Sequence, residues 1–289
     1  MEFITALTEH GFLQAALAAG LLASVGCGVV GTFVVVKRIT FLAGGIAHSV
    51  LGGMGAAHYF GSDPLAGALL AAVVAALLIG FVRLRWRTQE DTLIGALWAI
   101  GMAVGILFIA KTPGYQTDLM SYLFGNILLV SARDLWLMAG LDALLLLIVA
   151  LFFRQFLAVS FDEEFARLRG VRVTLFYLLL LVLVAVTVVL LIRVVGLILV
   201  IALLTLPAAI AGHYLDSMGR LMLLATLLGG VFTTSGLALS YGPDLPTGAT
   251  IVLLSGTAYV FSAAISRVLA ERRARQAVLP ATRPVTRDG

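Results

Sequence analysis

The chain has 289 residues, 61% of them hydrophobic and only 12% charged, against roughly 25% charged in soluble domains. This composition is that of an integral helical membrane protein with one compact membrane domain, and it excludes an ordinary soluble enzyme. The net charge of +4 gives no reason to expect a nucleic-acid partner, because the basic residues gather on one side of the membrane, and the single cysteine, Cys27, excludes a disulfide framework and any multi-cysteine metal site.

In chain order, the apolar stretches are 12–36, 41–60, 64–82, 92–110, 134–153, 171–192, 194–214, 220–240 and 247–268, each close to the ~20 residues that cross a bilayer. The expectation is an all-α, polytopic protein of about nine spans. Leu119–Val130 is a further apolar piece too short to cross, which leaves eight to ten possible. No cleavable signal peptide is expected, since the basic residues follow the first apolar run. With Lys37 and Arg38 placed in the cytoplasm, alternation puts every other basic residue there except Lys111, Arg133 and Arg193. That bias favours nine spans, an outer N-terminus and a cytoplasmic C-terminus. Residues 1–270 form the membrane domain, and 271–289, with Pro280 and Pro284, read as a flexible cytoplasmic tail. Gly26, Gly28, Gly31, Gly44, Gly45, Gly52, Gly53 and Gly55 crowd the first two spans. Close helix packing explains them better than a hinge.

The longest charged interruption is Ser160–Val173, on the cytoplasmic side. Ser160 with Glu163 has the spacing of a capping box. Asp162, Glu163 and Glu164 sit where a helix dipole favours negative charge, with Arg167 and Arg169 at the opposite end. Gly170 is placed to take the left-handed turn that stops a helix. Phe161, Phe165 and Leu168 share one face. The expectation is an amphipathic helix of two to three turns, either lying on the membrane surface or docking a partner.

Few residues in the spans bear chemistry. His48 lies within the second span, where an ionisable side chain faces a cavity or partner, and a neutral imidazole suits transition metals. The simpler reading is a packing histidine. Asp142, near the middle of the fifth span, needs a partner or water and is either a cation site or a paired helix contact. His58 and His213 fall near membrane surfaces. Asp63, Asp118 and Asp244 fall on the outer side. No P-loop with its Gly-Lys-Ser/Thr ending and no HExxH motif occurs.

Five stretches together resemble the permease subunits of metal-ion ABC transporters, which take up zinc, manganese or iron. They are Val36–Gly53 with Phe41-Leu42-Ala43-Gly44-Gly45-Ile46-Ala47-His48, Tyr122–Leu128, Ser160–Val173 with Asp162, Glu164, Ala166 and Gly170, Val195–Ala209, and Leu239–Gly248. They follow the family's order over nearly the whole chain. The resemblance implies a type II importer-like permease in the cytoplasmic membrane of a prokaryote. It further implies a homodimer with a second permease copy, a pair of cytoplasmic ATP-binding subunits, and an extracytoplasmic metal-binding protein. The chain would carry no ATPase site and no permanently bound cofactor; the metal, zinc or manganese first, is cargo. Residue by residue, the family's transport histidine maps onto His48, and its docking helix onto Phe161, Glu164, Phe165, Ala166, Leu168 and Gly170. Many members carry an Asp where this chain has Gly44, so half of a His/Asp clasp is missing, to be completed by the second copy, water or Asp142. Two alternatives stand: a permease for siderophores or cobalamin, and a stand-alone secondary cation transporter built on Asp142.

Overall fold

The computed structural model describes residues 2–85, 90–112, 125, 127–243 and 245–278. The helices are α1 (Glu2–Glu9), α2 (Gly11–Val36), α3 (Thr40–Tyr59), α4 (Pro64–Arg85), α5 (Glu90–Lys111), α6 (Ala132–Leu151), α7 (Phe153–Phe161), α8 (Glu163–Leu168), α9 (Val173–Val195), α10 (Leu197–Gly212), α11 (Met218–Tyr241) and α12 (Thr247–Val278). A single 3₁₀ turn, Ile127–Leu129, precedes α6. Among the described residues there is no strand. Arg87, Asp118, Asp244, residues 119–124 of the tenth apolar piece and the last residues from 279 lie outside the described set, as does most of the Tyr122–Leu128 motif.

Among the described residues, seven helices are long and apolar enough to cross a membrane: α2, α4, α5, α6, α9, α11 and α12. The other two expected spans are present as helices of weaker character. In α3 the 20 residues include glycines, alanines and two histidines, which dilute its hydropathy. α10 has 16 residues, about 24 Å of helix. It is short because Gly196, at φ +82°, breaks the run between the sixth and seventh stretches. α12 continues helically past Glu271 to Val278.

α2 is the central post. It packs against α11, α10, α6 and α9, and most of its side chains are buried. Its glycines make these approaches possible. A Cβ on Gly28 would sit 2.7 Å from the backbone of Thr226, and one on Gly31 would meet the carbonyl of Leu204. A second unit forms where α3 packs on α5 and α4. There a Cβ on Gly52 would lie 2.8 Å from the carbonyl oxygen of Gly101, and one on Gly55 would lie 2.7 Å from that of Gly105. Gly28, Gly31, Gly52, Gly53 and Gly55 therefore serve close backbone packing, as expected in lipid, whereas Gly26 and Gly45 face side chains and Gly44 has open space beside it. Outside these contacts, Leu70, Leu77, Phe81, Leu147, Leu223 and Phe261 point outward, as lipid-facing side chains do.

One end of the bundle is basic. The Lys37 ammonium lies 5.2 Å and the Arg83 guanidinium 5.0 Å from the centroid of the Tyr177 ring. The C-terminal ends of α2 and α4 thus meet the N-terminal end of α9, the arrangement that strict alternation of spans requires.

Candidate functional site

α7 and α8 form a bent arm at this basic end. α7 is held down by Phe156 and Val159, both buried. Phe156 packs on Phe33 of α2 and Phe176 of α9, with ring centroids 5.6 and 5.8 Å apart. The bend is at Asp162, in extended conformation. Its carboxylate accepts from the amides of Glu164 at 3.0 Å and Phe165 at 2.9 Å, which caps α8. The expected Ser160/Glu163 capping box does not form. Ser160 belongs to the last turn of α7, kept helical by the burial of its neighbours, and its Oγ is buried with no hydrogen-bond partner among the described residues. Burial overrides the local capping signal and moves the cap two residues on. For the same reason α8 has only six residues, shorter than the expected two to three turns.

The end of α8 is as expected. Gly170 adopts φ +77°, its amide donates to the Arg167 carbonyl at 3.0 Å, and the Val171 amide donates to that of Ala166 at 3.0 Å. This is a Schellman turn, which favours glycine at the left-handed position. Phe161, Phe165 and Leu168 stand out from the arm, 63%, 50% and 88% exposed. Glu164 and Gly170 are exposed as well. Ala166 is fully buried, so it seats α8 on the bundle and does not itself meet a docked partner. The Arg169 guanidinium lies 5.1 Å over the Phe165 ring.

Lys37 is the member of this end that sequence reasoning passed over. Its ammonium makes a 2.7 Å ion pair with Glu163 and donates at 2.7 Å to the carbonyl of Val159. A lysine at the end of an apolar span and a glutamate 126 residues later carry no common pattern, so no sequence signal joins them.

His48 lies on α3 with its ring stacked on Trp98 of α5, centroids 4.0 Å apart and planes 9° from parallel. Phe41 leans on the same indole at 6.3 Å. One turn earlier, Gly44 is buried, yet a Cβ there would have nothing within 4 Å. The place an acidic side chain would occupy beside His48 is open. Trp98 was not singled out from the sequence; only its position in an apolar helix was legible.

Asp142 is elsewhere. It is 6% exposed on α6, with Oδ2 unpartnered among the described residues. It faces α2, where a Cβ on Gly26 would come within 2.8 Å of its Oδ1 and 3.6 Å of the Thr187 methyl. Thr187, on α9, also has a buried, unpartnered hydroxyl. α6 packs on α2, α9 and α7, whereas α3 packs chiefly on α5 and α4. Asp142 and His48 thus sit on helices with different principal neighbours. Among the described residues no group of three or more His, Cys, Asp and Glu could hold a metal ion. Asp63 accepts from the Leu65 amide at 3.0 Å, and His213 bonds Ser262 at 2.9 Å; both are local structural roles.

The sequence model described as the ABC 3 transport family matches residues 9–266. An uncharacterized membrane protein of Synechocystis is 46% identical over 267 residues, covering 92% of this chain and 95% of that protein. The manganese transport system membrane protein MntC of Halalkalibacterium halodurans is 34% identical, covering 90% of this chain and 89% of its own length. Among solved structures, PsaBC from Streptococcus pneumoniae in complex with Fab superposes with a TM-score of 0.82 at 33% identity, over 90% of this chain and 94% of that one.

Proposed function

The chain belongs to the ABC 3 transport family, and on that premise we propose that it is the membrane permease subunit of an ATP-driven importer of divalent transition-metal ions, manganese before zinc. The observation that carries this reading is the arm at the basic end. Three large apolar side chains stand exposed on it, Phe161 at the end of α7 and, beyond the bend, Phe165 and Leu168 on α8, a helix capped at both ends. Such a ridge is costly in water and fits the groove of a protein partner. The partner is a pair of ATP-binding subunits, which makes the basic end cytoplasmic, in agreement with the positive-inside rule. An extracytoplasmic binding protein delivers the ion at the opposite end. The relatives named for manganese transport favour that metal over zinc.

His48 is the side chain on this chain that meets the ion in transit. Stacking on Trp98 fixes the plane of its ring, so an imidazole nitrogen is presented without reorientation. A single imidazole from each of two permease copies is a weak site, as release on the far side requires. ATP-driven closure of the docked subunits moves the arms and switches the path between its two openings.

The test uses the full importer, with ATP-binding subunits and binding protein, in proteoliposomes. Wild type is expected to accumulate manganese only with ATP. Phe165→Asp is expected to abolish uptake together with ATPase-subunit co-purification, and His48→Ala to abolish uptake while leaving assembly intact. ATP-independent uptake abolished by an uncoupler would overturn the reading.

A further inference from the structure

The Lys37 ammonium touches both sides of the bend in the docking arm. Its partner Val159 lies in the last turn of α7, and its partner Glu163 opens α8. A cation belongs at the C-terminal end of one helix and an anion at the N-terminal end of the next, so the geometry satisfies both helix dipoles at once. The site is built to hold. The Lys37 side chain is only 5% exposed against 30% for Glu163, and the ammonium also lies over the Tyr177 ring. On the other side, Lys37 ends α2 three residues before α3 begins. That connection has no slack. The Arg38 amide donates to the Val35 carbonyl at 3.1 Å, the Ile39 amide to that of Val34 at 2.9 Å, and the Ala43 amide to that of Ile39 at 3.1 Å. Arg38 holds the left-handed position, φ +58°, with a side chain that restricts the turn where glycine would free it. His48 follows two turns into α3, about 12 Å along the helix from Thr40.

We propose that the Lys37–Glu163 ion pair is the mechanical link that carries movement of the docking arm into α3 and so to the ion-contacting His48. Lys37 is then a positioning residue for transport: it touches neither the ion nor the ATP-binding subunits. The proposal rests on the permease reading. It goes further by naming the route along which the docked arm acts. A tight rather than loose connection is what the route requires. A freely rotating joint between arm and α3 would let the ATP-binding subunits close without moving His48.

The experiment compares metal imported per ATP hydrolysed in proteoliposomes of the full importer for wild type, Lys37→Met, Glu163→Gln, the double variant and Lys37→Arg. The single variants are expected to keep ATPase activity within about twofold of wild type while uptake per ATP falls about tenfold or more, and the double variant is expected to be no worse than either single one, because the pair acts as a unit. Lys37→Arg, which keeps charge and donors, is expected to retain most of the coupling. Unchanged uptake per ATP in both single variants overturns the proposal. So does loss of ATPase-subunit co-purification in both, which would make the pair a docking element, and so does a double variant whose loss multiplies those of the singles. Should Lys37→Met fail to assemble, Glu163→Gln and Lys37→Arg decide by the same ratio. A wild type that moves no metal with ATP overturns the permease reading along with the link; a wild type that pumps beside variants that pump as well overturns the link alone.

Discussion

Asp142→Asn separates a structural carboxylate from an ion-carrying one. Asp142 is 6% exposed in the bundle, with Oδ2 unpartnered among the described residues and with Gly26 against it. A carboxylate at such depth costs about 2.5–3.5 kcal/mol on insertion scales. Asparagine has the same shape and no charge, so it fits the space that Gly26 leaves and recovers part of that cost, about 1–2 kcal/mol. For a chain of this size that is an upward shift in unfolding temperature of about 2–3 °C. Thermal unfolding in detergent measures the shift, and metal uptake by the same variant in proteoliposomes is expected to stay within about twofold of wild type. Gly26→Ala tests the contact from the other side. The added Cβ, 2.8 Å from Oδ1, is expected to lower stability by about 1–3 kcal/mol in the wild type and by much less beside Asp142→Ala, where the obstructing carboxylate is gone. An Asp142→Asn variant that unfolds at a higher temperature yet loses uptake tenfold would refute the structural reading and give Asp142 a role in moving charge. One that unfolds several degrees lower would reveal a partner whose loss outweighs the charge removed.

Other changes probe the remaining sites. Gly44→Asp introduces a carboxylate where a Cβ meets nothing within 4 Å, one turn from His48. It is expected to tighten manganese binding, measured by competition in detergent, about tenfold or more, and to slow release; unchanged affinity would place the ion elsewhere. Leu168→Glu and Phe161→Glu are expected to leave the unfolding temperature within about 2 °C, since surface changes alter stability little, while weakening co-purification of the ATP-binding subunits. A large fall in unfolding temperature would show that the ridge packs against the chain itself. Gly52→Leu drives a side chain into the Gly101 carbonyl and is expected to destabilise by about 3 kcal/mol or more, with loss of folded protein on size-exclusion chromatography. Arg38→Gly removes the Cβ from a left-handed position and is expected to stabilise by about 1 kcal/mol, read in thermal unfolding; a destabilisation would show that the Arg38 side chain holds a contact worth more than the strain.

Much of the bundle is legible because lipid imposes few solutions. Runs near the length of a bilayer, separated by charges, mark seven spans directly, and the close glycine pairs follow from the need of helices to approach without a hydrophobic drive between them. What composition does not reveal is the quality of a span. α3 is read as an ordinary crossing, yet its glycines and alanines trade hydropathy for contact with α4 and α5. α10 is read at full length, yet Gly196 ends α9 late and shortens it. Both are local facts about backbone geometry superimposed on a global rule about transfer into lipid.

The site divides along a different line. Signals that act within a few residues are readable where nothing else competes: Gly170 stops α8 as its position predicts, and Phe165 and Leu168 share an exposed face of α8 as helical spacing gives, whereas Phe161, expected on that same face, ends α7 on the other side of the Asp162 bend. Ser160 shows what competition does. Its spacing to Glu163 satisfies the capping pattern, but the burial of Phe156 and Val159 holds Ser160 inside α7, and Asp162 takes the cap. Released from the box, Glu163 turns to Lys37. The one change of register therefore creates the long-range ion pair: with Ser160 as cap, Glu163 would have folded back on the chain's own amide and left the Lys37 ammonium buried without its carboxylate. A residue pattern can state both halves of that choice, and only the packing of α7 on Phe33 and Phe176 decides between them.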